Sequence, residues 1–193
     1  MKVKVIRNVF LFAGILILSS CTEYTPKPKG FFRIEPPDPK YSMLLADDLP
    51  YSFQASSLAT VELPDIDKKE DWLNLHYPTL NARIYCSYFP ITPSMLNTVL
   101  EESQALVVRQ SRNLKMTKEQ AFENPEKNVY ATLYLLDGES PSPIQFFITD
   151  STSNFFRGAL LYDTTINADS LAPATSYIKN DIIELIQSFN WKK

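Results

Sequence analysis

The chain has 193 residues, of which 45% are hydrophobic and 12% aromatic, with 19 basic side chains against 22 acidic ones. That balance excludes a disordered chain and leaves room for one domain with a substantial core. A formal charge of −3 repels phosphates, so it excludes a nucleic-acid partner held by a basic surface.

The first element is a leader. Lys2, Lys4 and Arg7 precede an apolar run from Val9 to Leu18, broken only by Gly14. A run of about ten residues is half what a helix needs to span a bilayer, and the charged start marks a secretory signal. The run ends Leu18-Ser19-Ser20-Cys21, which resembles the lipobox read by lipoprotein signal peptidase. Residues 1–20 are therefore expected to be removed, and Cys21 to become the lipidated N-terminus. Its thiol is the nucleophile that takes a diacylglycerol group. With a further chain on the new amino group, ~0.8 kcal/mol per buried CH₂ makes palmitate-type anchoring effectively permanent. Loss of the three leader cations leaves 16 basic against 22 acidic residues, a mature charge of −6. A polybasic grip on anionic lipid is thereby excluded, and lipid is the expected membrane partner.

Residues 21–30 read as a lipidated, proline-rich tether. Pro26 and Pro28 belong to a group of five prolines that continues with Pro36, Pro37 and Pro39. Such backbone is semi-rigid and extended. Residues 31–193 read as a single globular domain, opening with a strand at Phe31–Ile34. Further strands are expected at Trp72–Tyr77, ended by Pro78, and at Ala82–Phe89, ended by Pro90. A helix should begin near Thr92-Pro93-Ser94, with Thr92 as N-cap and Pro93 at the first helical position. Its apolar positions are Leu96, Val99, Leu100, Leu106 and Val107.

Three strands follow, at Val129–Leu136, Ile144–Thr149 and Phe155–Tyr162. Turns containing Asp137-Gly138 and Asp150-Ser151 with Asn154 join them as antiparallel hairpins. Both faces of Val129–Leu136 are largely apolar, which places it centrally and covers it on both sides. A last helix starts between Asp169 and Pro173 and runs to about Phe189. Its stripe is Ala174, Ile178, Ile182, Leu185, Ile186 and Phe189. The fold class is α+β, a mostly antiparallel sheet flanked by helices.

No catalytic constellation is visible. His76 is the only histidine and alternates with Leu75 and Tyr77 on a strand, so a satisfied or surface role is expected. Cys86 is the only thiol left beside Cys21. It shares a strand face with Ile84, which predicts a buried, inert side chain and no disulfide. One histidine and one thiol cannot make a histidine/cysteine zinc site, and Asp65, Asp67 and Glu70 lack calcium-loop spacing. Asp47-Asp48 and Glu101-Glu102 read as solvated charge. Only Gly30, Gly138 and Gly158 remain after the leader, so no phosphate-binding glycine loop exists. Gly158, inside a strand, predicts a bulge or a close backbone approach. No metal and no cofactor are expected. The strand aromatics, Tyr85, Tyr88, Phe89, Tyr130, Tyr134, Phe146, Phe147, Phe155, Phe156 and Tyr162, could form an exposed groove or fill a two-sided core. The core is the expected reading.

Several segments together resemble the gliding-motility lipoprotein family GldD of the Bacteroidota. They are Tyr24-Thr25-Pro26-Lys27-Pro28-Lys29-Gly30-Phe31-Phe32-Arg33-Ile34, Pro50-Tyr51-Ser52-Phe53 and Trp72 to Pro78. Asn154-Phe155-Phe156-Arg157-Gly158-Ala159-Leu160-Leu161-Tyr162 is the strongest, followed by Asp169-Ser170-Leu171-Ala172-Pro173 and the tail Phe189-Asn190-Trp191-Lys192. Glu35-Pro36-Pro37 and the segment after Phe53 depart from the family pattern. The arrangement also resembles a PsbP-like α/β/α sandwich, which implies a fold and no function. The family resemblance implies a non-enzymatic envelope component, lipid-anchored and periplasm-facing. It would be needed for gliding and for the associated type IX secretion machinery, whose proteins would be its partners. The alternative is a periplasmic binding module with an apolar or glycan ligand on an aromatic sheet.

Overall fold

A computed structural model describes residues 37–44, 47–63, 72–110, 116–136, 140–163 and 168–192. The leader, Cys21, the tether, the expected strand at Phe31–Ile34 and the Asp137-Gly138 turn lie outside the described residues.

The strands are β1 (Tyr41–Met43), β2 (Tyr51–Ser52), β3 (Gln54–Ser56), β4 (Thr60–Glu62), β5 (Trp72–Tyr77), β6 (Ala82–Pro90), β7 (Met116–Asn124), β8 (Val129–Leu136), β9 (Ile144–Thr149), β10 (Asn154–Tyr162) and β11 (Asn190–Trp191). The α-helices among the described residues are α1 (Leu96–Gln110) and α2 (Ala168–Ser188). Seven strands form an antiparallel sheet in the order β4-β5-β6-β10-β9-β8-β7, while β1 pairs with β3 and β11 with β2. The fold is mixed α+β with a mostly antiparallel sheet, as the sequence predicts.

Strand alternation sorts the sheet into two faces. Leu73, Leu75, Ile84, Leu133, Ile144, Phe146, Ile148, Phe156 and Leu160 face α2 and form the main core with its predicted stripe, all buried. The opposite parity, Tyr134, Leu136, Phe147 and Phe155, packs under α1 with Val107 and Ile91. The result is helix, sheet, helix. The expected two-sided cover of Val129–Leu136 is therefore present, but its central position is corrected. β10 lies in the middle, and β8 is next to an edge occupied by β7. The sequence hid β7 because its described side chains are exposed or half-buried, with Phe122 alone reaching the main core.

α1 starts later than expected. Thr92 Oγ1 sits 2.9 Å from Ser94 Oγ, and the Met95 N–H donates to the Thr92 carbonyl, so a turn over Pro93–Met95 precedes the helix. α2 includes Pro173 in its second turn, past the N–H groups that lack partners at a helix start, so the helix forgoes one i→i−4 hydrogen bond there.

An aromatic cluster closes the main core. Phe156 lies 4.7 Å from Tyr51 and 5.2 Å from Phe189, centroid to centroid, and Phe53 stacks on Phe189 at 6.1 Å. Gly158 shows the predicted close approach and not a bulge, since its pairing with Cys86 and Phe146 is regular. A Cβ there would run into the Phe146 ring, with Cε2 at 3.2 Å and Cζ and Cε1 nearer still.

Between β9 and β10 the Asp150 carboxylate accepts from the backbone N–H groups of Thr152, Ser153 and Asn154 at 2.8–2.9 Å. Partial burial alone would raise its pKa, but these donors hold it well below the ordinary carboxylate range. Ser151 has a positive φ of 64° in this turn, and its N–H donates to Thr149 Oγ1 at 3.0 Å.

Asp181 on α2 is a buried carboxylate, 4% exposed, that accepts from Tyr41 Oη at 2.8 Å. Its other oxygen and the hydroxyls of Tyr77 and Tyr177 have no hydrogen-bond partner among the described residues. Burial raises the Asp181 pKa, against the opposing pull of its hydroxyl neighbours. An acid whose folded pKa exceeds its unfolded one makes the folded state bind more protons, so stability falls as pH rises through that interval. Asp181→Asn keeps an acceptor for Tyr41 and removes the charge. Thermal melts stepped upward from about pH 4, the ordinary carboxylate range, should show wild type losing more stability than the variant as pH rises. Parallel pH dependence would contradict this assignment.

Candidate functional site

α1 covers only the β8-β9-β10 part of its face. Across β4, β5 and β6 the same face stays open, because Trp72, Asn74, His76, Arg83, Tyr85, Ser87 and Phe89 are half-buried or exposed there. Between this open part and α1 lies a groove of about 230 Å³. Tyr85 and Ser87 of β6, Arg157 of β10, Gln145 and Phe147 of β9, and Ser103, Leu106, Val107 and Gln110 of α1 line it.

Cross-strand register builds the groove. Ser87 is opposite Arg157, which is opposite Phe147; Tyr85 is opposite Ala159, which is opposite Gln145. Ser103 falls in the middle of the α1 stripe, where its Oγ donates back to the Val99 carbonyl at 2.8 Å. Gln145 Nε2 donates to Gln110 Oε1 at 2.9 Å across the sheet–helix junction. Arg157 carries its guanidinium carbon 5.2 Å from the Phe89 ring centroid, within cation–π range. Burial raises the Tyr134 pKa at the groove's inner end, so that residue stays a neutral phenol.

Beside the groove lies a charged network. Arg83 donates to Glu62 through Nε at 3.1 Å and Nη2 at 3.3 Å, to Asp163 through Nη1 at 3.3 Å, and to Tyr85 Oη at 3.4 Å. His76 places Nδ1 3.4 Å from Glu62 and Nε2 4.0 Å from Asp163. Both imidazole nitrogens thus face carboxylates, whereas a general base for a hydroxyl nucleophile needs one of them free to accept. The network is a cross-strand ion-pair ladder of the partly exposed kind that contributes little stability. Among the described residues no group of three or more histidine, cysteine, aspartate or glutamate side chains is arranged to hold a metal ion.

Cys86 is 1% exposed in the main core, and desolvation pushes its thiol far above the ordinary range, which makes it inert as predicted. Asp47, Asp48, Glu101 and Glu102 are exposed. Of the strand aromatics, Phe146, Phe147, Phe155, Phe156 and Tyr134 are core, while Tyr85 and Phe89 are exposed on the open face. The groove residues Ser87, Ser103, Gln110, Gln145 and Arg157 had no place in a search for catalytic pairs. The one sequence signal is Arg157, a cation interrupting Phe155-Phe156 and Gly158-Ala159 in the middle of a core strand.

These features define an α+β sandwich with a ligand-sized groove and an open sheet face. The chain belongs to the family of the gliding motility lipoprotein GldD, which it matches over residues 21–191. No curated protein matches it. Among solved structures it is similar to cyanobacterial PsbP (CyanoP) from Synechocystis sp. PCC 6803, at 10% identity and a TM-score of 0.45. That match covers 86% of this chain and 98% of that one. Among the described residues no helix is long and apolar enough to cross a membrane.

Proposed function

We propose that this lipoprotein is a non-enzymatic component that supports assembly or stability of the gliding apparatus and of the associated type IX secretion machinery. Lipid on Cys21 and the tether of residues 21–30 hold the domain of residues 31–193 at a membrane, facing the periplasm. The observation that carries this reading is the extent of the family match, which begins at Cys21 and reaches Trp191. A match that includes Cys21 and the residues after it supports reading anchor, tether and domain as one unit. Confinement by lipid replaces a three-dimensional search with a local one, which raises effective concentration toward neighbours in the same membrane. Deleting the gene should abolish spreading on agar and lower secretion or the level of a machine component. A deletion strain that spreads and secretes like its parent would overturn the proposal.

The groove favours a second reading that can coexist with the first: the domain is also a binding module, able to hold a small ligand beside its exposed aromatics.

A further inference from the structure

We propose that the groove between α1 and the sheet binds a small organic carboxylate with an apolar body, the carboxylate received by Arg157 and the body laid against Phe147, Leu106 and Val107. This deepens the binding-module reading and is independent of the assembly role.

The charge distribution names the anion. Among the described residues Arg157 is the only charged one lining the groove, and no carboxylate pairs with it. Arg83, on the same sheet face, shows what an arginine does here when its need is met internally, with Glu62 and Asp163 both within 3.3 Å. Arg157 is half-buried on the central strand and has the Phe89 ring as its described neighbour. A ring attracts a cation but accepts no in-plane hydrogen bonds, so the guanidinium fork stays available for a bidentate carboxylate. Ser87 stands opposite Arg157 on β6 and can donate to the same anion.

The rest of the lining sets the body and its size. Leu106, Val107 and Phe147 supply apolar lining, and the Gln110–Gln145 pair bridges helix and sheet beside it. A volume of about 230 Å³ lies between the ~150 Å³ cavity that admits benzene and the ~300 Å³ lower end of drug-sized sites. That suits roughly ten non-hydrogen atoms. The supports are rigid, since β9 and β10 are sheet-central and α1 is packed on them.

Phenylacetate and its neutral amide, phenylacetamide, are probes of this size that differ in the anion. Saturation-transfer NMR on the full mature lipoprotein in neutral detergent micelles should show phenylacetate binding, with the amide weaker by about tenfold or more. Arg157→Gln should erase the difference. Gln110→Glu, at the rim of the slot and outside the core, should repel the acid and spare the amide. The proposal is overturned if acid and amide bind alike, if neither binds at about 1 mM, or if both variants keep wild-type preference. None of these results bears on the deletion phenotype, and a deletion that spreads normally leaves the probe result standing.

Discussion

Gly158→Val is expected to destabilise the domain by about 1–3 kcal/mol, a large fraction of a total stability of about 5–15 kcal/mol. The cause is space and not backbone freedom, because Gly158 continues β10 in regular register with Cys86 and Phe146. The Phe146 ring occupies the position its side chain would take, 2% exposed and within 6.2 Å of the Phe156 ring. The ring covers the glycine as an aromatic covers a gap in a sheet. To admit a Cβ it would have to push into the aromatic cluster. Coupling provides the check. Phe146→Leu combined with Gly158→Ala should cost less than the two single variants summed, measured by urea titration, since each relieves the other. Additive costs would show that the contact does not limit the packing.

Phe156→Ala should cost about 3–5 kcal/mol, the range for emptying a buried phenylalanine site that cannot collapse. Phe156 is fully buried and within 6.2 Å, centroid to centroid, of Tyr51, Phe53, Phe146 and Phe189. It therefore joins the early ribbon, the central sheet and the end of α2. Relaxation is restricted because Tyr51 and Phe189 are fixed by the β2–β11 pairing and by the Lys192 N–H donating to the Pro50 carbonyl at 2.9 Å. A cost near 1 kcal/mol would mean that the ribbon re-seats freely over the sheet.

Much of the fold was legible in the sequence because the relevant signals are local. Trp72–Tyr77, Val129–Leu136 and Ile144–Thr149 coincide with β5, β8 and β9, since prolines or turn residues bound each run. The α2 stripe was read residue for residue, because all six positions are buried in one core. β7 was hidden, being an edge strand with little to bury. A device shared with β5 would have exposed it. Pro78–Leu80 with left-handed Asn81 turns β5 into β6, and Pro125–Lys127 with left-handed Asn128 turns β7 into β8. The spacing Pro-x-x-Asn thus marks a turn with a strand on each side of it. The ribbons β1 to β3 could not be read, because strands of two or three residues show no alternation and β2 pairs with the distant Asn190–Trp191.

The groove was illegible for a related reason. Its members come from α1, β6, β9 and β10, and each taken singly is an ordinary polar residue on an amphipathic element. Cross-strand register and the offset of α1 toward β8 bring them together, neither of which has a sequence period. The satisfied or surface role expected for His76 agrees with the geometry, in which carboxylates face both of its nitrogens.

The proposed role requires that the sulfur of Cys21 fasten the protein to its membrane. Cells whose own gene is deleted, supplied with wild type or Cys21→Ser and fed labelled fatty acid, should be fractionated and plated for spreading. The prediction is that wild type carries label, sediments with membranes and restores spreading, while the variant takes no label, leaves the membrane fraction and fails to restore it. An unlabelled variant that still sediments with membranes and spreads like wild type would contradict it.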